Sequence, residues 1–188
     1  MNIQVTITGT SPLLMNRFHE AAQEAVSSGN AMTLRGQKGT PREQAEPKVY
    51  ADSTGRPCIP GPNVFSALIQ AGIFIKVGKS KLSTQKSSLI PAGLSVAQIE
   101  CPITPSKWEV DSRAVVIPST RGRVMSHRPR FDQWQISFTL EVDSAMFDDR
   151  LVRELVDKAG QCIGLGDFRP ARKGPFGKFK VTSWKVSK

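Results

Sequence analysis

The sequence predicts an α+β fold, and three segments carry this prediction. Hydrophobic residues alternate with polar ones along residues 2–8 and again along 135–142, which is the pattern of strands with one buried face. Between residues 148 and 162 the apolar residues recur at helical spacing instead. Because 188 residues are enough for one hydrophobic core, we expect a single domain over residues 1–188.

A first helix is predicted downstream of the opening strand. Ser11-Pro12 ends that strand, and Pro62 suits the first turn of a helix because its missing N–H needs no partner there. The apolar residues that follow form a wide face, which we expect to be buried. This face consists of Val64, Phe65, Leu68, Ile69 and Ile73.

Two weaker strand patterns, at 94–101 and 108–117, precede the strand at 135–142, and a final strand at 178–186 follows the second helix. The order is compatible with a ferredoxin-like or RNA-recognition-type βαββαβ core that carries long loop or hairpin insertions. We expect the insertions to be mobile because they offer few apolar anchors. They are predicted around residues 31–47, 78–90 and 118–134.

The charge of the chain points to a polyanionic partner. The formal net charge is +10 and the isoelectric point is about 9.9, which favours nucleic acid or an anionic membrane surface. No carboxylate occurs between Ser53 and Ile99, or between Ser112 and Phe131. Since no run of about 18 apolar residues is present, we expect no membrane segment and prefer nucleic acid.

Residues 164–179, here called the glycine–arginine loop, lie between the second helix and the last strand. Glycines let a backbone approach a partner closely, and cations suit phosphates. The order helix–loop–strand is opposite to that of a dinucleotide or P-loop site, and the pattern GxxxxGK[ST] is absent. The alternative is an ordinary turn with capping glycines. We predict nucleic-acid contacts from Gly164, Gly166, Arg169, Arg172, Lys173, Gly174, Gly177 and Lys178.

A second basic segment, residues 118–131, is expected to form a loop or a β-ribbon. Arginine spans phosphate oxygens with two donors and also stacks on bases. The alternatives are a solvated loop and arginines paired with the acidic helix of a neighbouring subunit. Asp132, which follows the segment, is a candidate cleaving carboxylate, although the role of ion-pair partner to the arginines is favoured. We predict nucleic-acid contacts from Arg121, Arg123, His127, Arg128 and Arg130. A third and weaker candidate is the lysine loop, residues 76–88, with Lys79, Lys81 and Lys86.

Four aromatic residues in or beside these basic segments are predicted either to stack on bases or to pack locally. They are Phe131, Trp134, Phe168 and Phe176.

Candidate catalytic groups are sparse. Cys58, Cys101 and Cys162 are odd in number and widely spaced, which favours neither a disulfide framework nor a zinc site. We therefore predict no metal, no cofactor and no catalytic residue, and a cytoplasmic location. His127 is the candidate acid–base group of a metal-independent ribonuclease, although a polar loop role is favoured.

The start of the first helix resembles the I-P-G-x-S-x-x-x-A-L motif of RAMP-superfamily proteins, which are CRISPR-type RNA-binding subunits. Its sequence here is Ile59-Pro60-Gly61-Pro62-Asn63-Val64-Phe65-Ser66-Ala67-Leu68. The glycine–arginine loop resembles the C-terminal glycine-rich loop of that superfamily, and Ser11-Pro12-Leu13-Leu14 is similar to the start of many members. The chain also resembles small proteins of phages and mobile elements. The superfamily resemblance implies a modified RNA-recognition fold, binding of guide RNA or another single strand, and stacking of subunits along it.

These features predict a non-enzymatic protein that binds single-stranded nucleic acid, RNA in preference to DNA, and that forms homo-oligomers along the strand as a backbone subunit. Four acidic residues are expected to meet the basic loops of the next subunit. They are Asp148, Asp149, Glu154 and Asp157. Two alternatives stay open: a metal-independent endoribonuclease that processes guide RNA, and a phage single-stranded DNA-binding or assembly protein.

Overall fold

The computed structural model describes residues 1–18, 27, 39–116 and 121–187. The strands are β1 (Asn2–Gly9), β2 (Leu13–Leu14), β3 (Cys58–Pro60), β4 (Lys76–Val77), β5 (Ser80–Lys81), β6 (Leu94–Val96), β7 (Glu100–Pro102), β8 (Glu109–Val116), β9 (Arg123–Phe131), β10 (Gln135–Val142) and β11 (Phe179–Ser187). The α-helices are α1 (Pro41–Ala45), α2 (Gly61–Ala71), α3 (Ile90–Gly93) and α4 (Asp149–Lys158).

The central sheet has four strands in the order β11-β1-β10-β6, and all of its neighbouring strands are antiparallel. Helix α2 lies between β1 and β6 in the chain, and α4 lies between β10 and β11. This order of elements and strands is the ferredoxin-like βαββαβ arrangement. The predicted α+β fold class is therefore confirmed.

One face of the sheet forms the hydrophobic core, and its alternation follows the predicted register. Ile3 pairs with Leu140 and Val5 pairs with Phe138 across β1 and β10, and all four side chains are buried. The opposite face carries polar side chains that hydrogen-bond across strands, such as Thr6 and Ser137 at 2.9 Å. Alternate residues of a strand point to opposite faces, so the period of two separates core from solvent.

Two of the aromatic candidates belong to this core. Phe131 and Trp134 are fully buried, and the indole Nε1 of Trp134 donates to the carbonyl of Ser11 at 2.9 Å. The indole ring also lies against Gly9, where an added Cβ would overlap it. These two residues pack locally and are not available to stack on bases.

Helix α2 buries a stripe that the sequence predicted only in part. Its buried side chains include Val64, Ala67, Leu68 and Ala71, at the i, i+3, i+4, i+7 spacing of one helical face. Of the predicted apolar face, Phe65 and Ile69 are half-buried, and Ile73 lies beyond the α-helix and is exposed. The predicted face does not include Ala67 and Ala71, because alanine is only weakly hydrophobic. Both are buried because their small side chains allow close packing.

Helix α4 begins where it was predicted and ends earlier. The Asp148 carboxylate caps it by accepting the N–H of Leu151 at 2.8 Å. The predicted stripe is confirmed at Val152, Leu155 and Val156, which are buried. After Lys158 the chain widens into a π-helical turn, Ala159–Ile163, which leads directly into the glycine–arginine loop.

The insertions contain more regular structure than the sequence indicated. The loop predicted at 31–47 is wrong for its described part, because residues 41–45 form α1 with a capping box in which Thr40 and Glu43 bond reciprocally. Thr40-Pro41-Arg42-Glu43 is a capping-box sequence, so the signal was present. Residues 31–38 lie outside the described residues. The single strand expected at 94–101 is divided into β6 and β7.

The described part of the second basic segment forms a β-ribbon, which is one of the two forms predicted for residues 118–131. Strand β9 pairs along its length with β8, from Val116 opposite Arg123 to Glu109 opposite Arg130. Residues 117–120 lie outside the described residues. The lysine loop contains the short β4–β5 pair. The mobility of the insertions stays a prediction.

The turn at residues 52–56 contains the carboxylate of Asp52, and the ionisation of this carboxylate should contribute to the stability of the fold at low pH. The Thr54 hydroxyl, and then the N–H groups of Arg56 and Thr54 and the Arg56 side chain, hold the pKa of Asp52 at about 2 against the ordinary 3.8. Because the folded pKa is the lower one, this stabilisation is present above about pH 4 and is lost as the pH falls toward 2. Asp52→Asn should therefore flatten the dependence of Tm on pH between 4 and 2, measured by circular dichroism.

The exposed carboxylate of Asp143 provides the matched control, Asp143→Asn. Equal slopes of Tm against pH for the wild type and Asp52→Asn would contradict the assignment.

Candidate nucleic-acid interface

The glycine–arginine loop is closed by hydrogen bonds within the chain. Leu165 donates its N–H to the carbonyl of Gly177 at 2.9 Å, and Gly177 donates to Pro12 at 2.8 Å. Gly174 donates to Arg169 at 3.0 Å, across a 3₁₀ turn at Pro170–Arg172. The loop therefore has a defined shape that presents the residues of this turn at its surface.

The glycines are required by the packing of the loop. Gly166 and Gly177 have φ angles of +75° and +70°, and a Cβ would overlap the carbonyl of Leu14 at the first and that of Leu165 at the second. The N–H groups of Gly164, Gly174 and Gly177 donate to carbonyls of the chain. The side-chain cations are thus the groups that remain for a partner.

Three cations of the loop are exposed: Arg172, Lys173 and Lys178. Arg169 is half-buried, and its guanidinium donates to the carbonyl of Gly166 at 3.0 Å. Burial, and then the nearby charge of Arg172, lowers the pKa of Arg169. Arg169 therefore helps to hold the loop, whereas the three exposed cations are free to meet phosphates.

The remaining aromatic candidates form a pair within the loop. The rings of Phe168 and Phe176 lie 6.1 Å apart between centroids. Phe176 is buried, and Phe168 is 38% exposed. Phe168 therefore offers a partly accessible ring face, while Phe176 supports it from below.

The short strand β2 joins the loop to the hairpin of β8 and β9, here called the arginine hairpin. Leu14 pairs with Arg130 of β9 and also bridges Asp167 of the loop. Arg128 Nε lies 3.3 Å from Asp167 Oδ2, and the guanidinium of Arg113 lies 4.8 Å from the centre of the Phe176 ring. The two predicted basic segments therefore lie side by side.

The arginines at the base of the hairpin are already paired. Arg130 lies 2.8 Å from Asp132 and 3.7 Å from Asp111. Asp132 is therefore an ion-pair partner of an arginine, which is the role that the sequence analysis favoured for it. The Arg128 side chain is only 15% exposed. Toward the end of the hairpin, Arg121 and Arg123 are exposed and are the cations that can reach a strand.

Lys48 was missed by the sequence reasoning and lies buried beneath the hairpin. Its Nζ donates to the carbonyl of His127 at 2.6 Å. Burial, and then the charge of Arg128, lowers the pKa of Lys48. The His127 ring lies across the hairpin from Ser112, with Nδ1 and Oγ 2.7 Å apart. A lysine in a polar segment gives no sequence signal of burial, since most lysines are exposed.

The lysine loop lies away from the other two basic segments. Asn63 and Ser66, near the start of α2, line a cleft shared with the glycine–arginine loop. The lysine loop follows the other end of α2, whose 11 residues span about 16 Å. Lys79, Lys81 and Lys86 are exposed there. The structure thus brings together two of the three predicted basic segments.

That cleft has a volume of about 250 Å³. Its lining combines the first part of α2 with the chain after β2, the turn at Tyr50 and the glycine–arginine loop. The lining residues are Met15, Asn16, Tyr50, Ile59, Asn63, Ser66, Ala67, Gly164, Leu165, Gly166, Asp167 and Arg169. Sequence reasoning missed all but the residues of the loop, because no local pattern links segments so far apart in the chain.

Within residues 1–18, 27, 39–116 and 121–187, no group of three or more histidine, cysteine, aspartate or glutamate side chains is arranged to hold a metal ion. In the same ranges no helix has the length and hydrophobicity needed to cross a membrane.

The fold is similar to that of a chain in the cryo-EM structure of the Type III-B Cmr-beta bound to cognate target RNA. The two share 12% sequence identity with a TM-score of 0.55, and the match covers 100% of this chain. The chain spans about 60% of the length of that neighbour. This likeness shows the fold, and it agrees with the fold that the RAMP resemblance implied. No protein-family model and no curated protein matches the sequence.

Proposed function

We propose that this protein is a non-enzymatic subunit that binds single-stranded nucleic acid, RNA in preference to DNA, and that oligomerises along the strand. The observation that carries the proposal is the joining of two basic segments through β2. Both segments carry exposed cations, and the contacts of Leu14 with both segments and of Arg113 with Phe176 hold the segments side by side. A row of cations with an accessible aromatic ring is the arrangement that tracks a single strand.

The preference for RNA is supported by the structural neighbour, which belongs to an assembly bound to target RNA. The fold also agrees with this choice, since RNA-recognition-type domains bind unpaired bases and backbone.

The oligomer is proposed from the distribution of charge. Asp149 accepts the indole N–H of Trp184 at 2.6 Å, and Asp157 pairs with Arg153 at 3.1 Å, so both are occupied within the subunit. The Asp148 carboxylate caps α4 by accepting the N–H of Leu151, whereas Glu154 is exposed. Of the four predicted carboxylates, we therefore expect Glu154 to meet a cation of a neighbouring subunit.

Salt dependence tests the binding proposal. For the wild type, the affinity for a fluorescein-labelled oligouridylate should fall with salt at a slope of about −0.7 per phosphate contact. At least three contacts are expected, so fluorescence anisotropy should give a slope steeper than about −2. The same titration with oligothymidylate should give weaker binding.

Two results would contradict the proposal. A flat salt dependence would exclude several phosphate contacts, and tighter binding of the DNA strand would overturn the preference for RNA. Native mass spectrometry with strands of increasing length tests oligomerisation: the number of bound subunits should rise with strand length.

A further inference from the structure

The cleft beside α2 has an apolar floor and a polar rim. Met15, Ile59, Ala67 and Leu165 are buried and form its apolar part. The polar side chains of the lining lie at more exposed positions. They are Asn16, Tyr50, Asn63, Ser66, Asp167 and Arg169. The volume of about 250 Å³ is below the ~300–1,000 Å³ of most small-molecule sites, so the cleft suits a small flat group.

The chemistry of the lining does not suit a phosphate. Asp167 places a carboxylate in the wall, and because that carboxylate is paired with Arg128 at 3.3 Å, this ion pair adds no net positive charge that would attract a phosphate. Arg169 is the cation of the lining, and its guanidinium already donates to Gly166. The apolar floor offers a phosphate no donors, whereas a planar ring would gain from contact with it.

Three polar groups of the rim are available for hydrogen bonding, as far as the described part of the chain is concerned. The side-chain amides of Asn16 and Asn63 and the hydroxyl of Tyr50 make no hydrogen bond to the residues that the structure describes. Each amide presents both a donor and an acceptor. An apolar floor beneath free donors and acceptors is the environment that an unstacked base requires, since its faces are apolar and its edges are polar.

We propose that this cleft binds one unstacked nucleobase of the bound strand. The inference rests on the proposed function, because the strand must first be held by the cations of the loop. Arg169 lies at the rim, and the exposed Arg172 and Lys173 lie on the 3₁₀ turn that follows it and directly after that turn. The phosphates next to the seated base would therefore lie against these cations. Each subunit would then contact one base as well as the backbone.

Abasic strands test the inference. Wild-type protein should bind an oligouridylate more tightly than an abasic ribose-phosphate strand of the same length. Asn63→Ala should weaken oligouridylate binding about fivefold, the value of one hydrogen bond, and should leave the abasic strand unchanged. Gln85→Ala, which removes an exposed amide in the lysine loop, is the matched control and should change neither.

Filling the cleft gives a second variant. Ala67→Met should weaken oligouridylate binding at least as much as Asn63→Ala and leave binding of the abasic strand unchanged, with Tm measured alongside to exclude unfolding. Photo-crosslinking with 4-thiouridine, mapped by mass spectrometry, should place the base on Met15 or Tyr50.

The outcomes separate the two proposals. If the wild type binds both strands equally, or if crosslinks fall only outside the cleft, the base site is overturned and strand binding stands. If the wild type binds neither strand, the proposed function itself fails.

Discussion

Replacing both Arg172 and Lys173 with glutamine should weaken the binding of single-stranded RNA about a hundredfold. Both side chains are exposed on the 3₁₀ turn of the glycine–arginine loop or directly after it. Hydrogen bonds to charged groups contribute about 1.5–3 kcal/mol each, so two lost phosphate contacts correspond to at least ~3 kcal/mol. The salt slope should also become shallower by about 1.4 in anisotropy titrations, which is about 0.7 for each lost contact.

The lysine loop provides a control with the same change of net charge. Lys79→Gln with Lys81→Gln also removes two exposed lysine charges, but at the far end of α2. We expect this double variant to weaken binding less than fivefold, because the two sites lie about 16 Å apart or more. Equal losses in the two double variants would mean that overall charge, and not this surface, governs binding.

Gly177→Val should lower the free energy of unfolding by about 4 kcal/mol. The residue has φ +70°, which costs a β-branched residue about 1–3 kcal/mol. Its new Cβ would also overlap the carbonyl of Leu165, and relieving that overlap disturbs the hydrogen bond from Leu165 to residue 177. Urea denaturation followed by circular dichroism measures the loss.

Gly78→Val separates the backbone strain from the overlap. Gly78 has φ +61°, and nothing lies within 4 Å of a Cβ built there. Its substitution should therefore cost only about 1–3 kcal/mol. If Gly177→Val is no more destabilising than Gly78→Val, the close packing assigned to the loop is incorrect.

The elements that the sequence predicted well are those with one buried face. The alternation in β1 and β10 and the stripe of α4 follow from the period of a strand or helix that packs on a single core. The same logic failed for α1, whose capping box was present but whose short polar sequence lacks an apolar stripe. It also predicted one strand over residues 94–101, whereas the structure has two, because the break after Val96 depends on pairing partners elsewhere.

The candidate site was predicted in its composition but not in its arrangement. The basic segments and their exposed cations are visible in the sequence. The sequence does not show which cations already have partners within the protein. Arg128 pairs with Asp167, and Lys48 donates to the carbonyl of His127, and both contacts join residues that are far apart in the chain. The sequence predicted that the glycines of the loop expose its backbone to a partner. In the structure, close packing requires them instead, as at Gly166, which lies against the carbonyl of Leu14 in β2.

The fold class, the layer of each regular element and the excess of positive charge are local properties, so the order of residues was sufficient to predict them. The joining of the loop to the arginine hairpin, the separation of the lysine loop and the cleft beside α2 arise from contacts between distant segments. Such contacts depend on which strands pair and how side chains fill the space between elements, and no local period encodes them. Only the tertiary structure could therefore distinguish the cations that hold the loop in place from those that remain free for a strand.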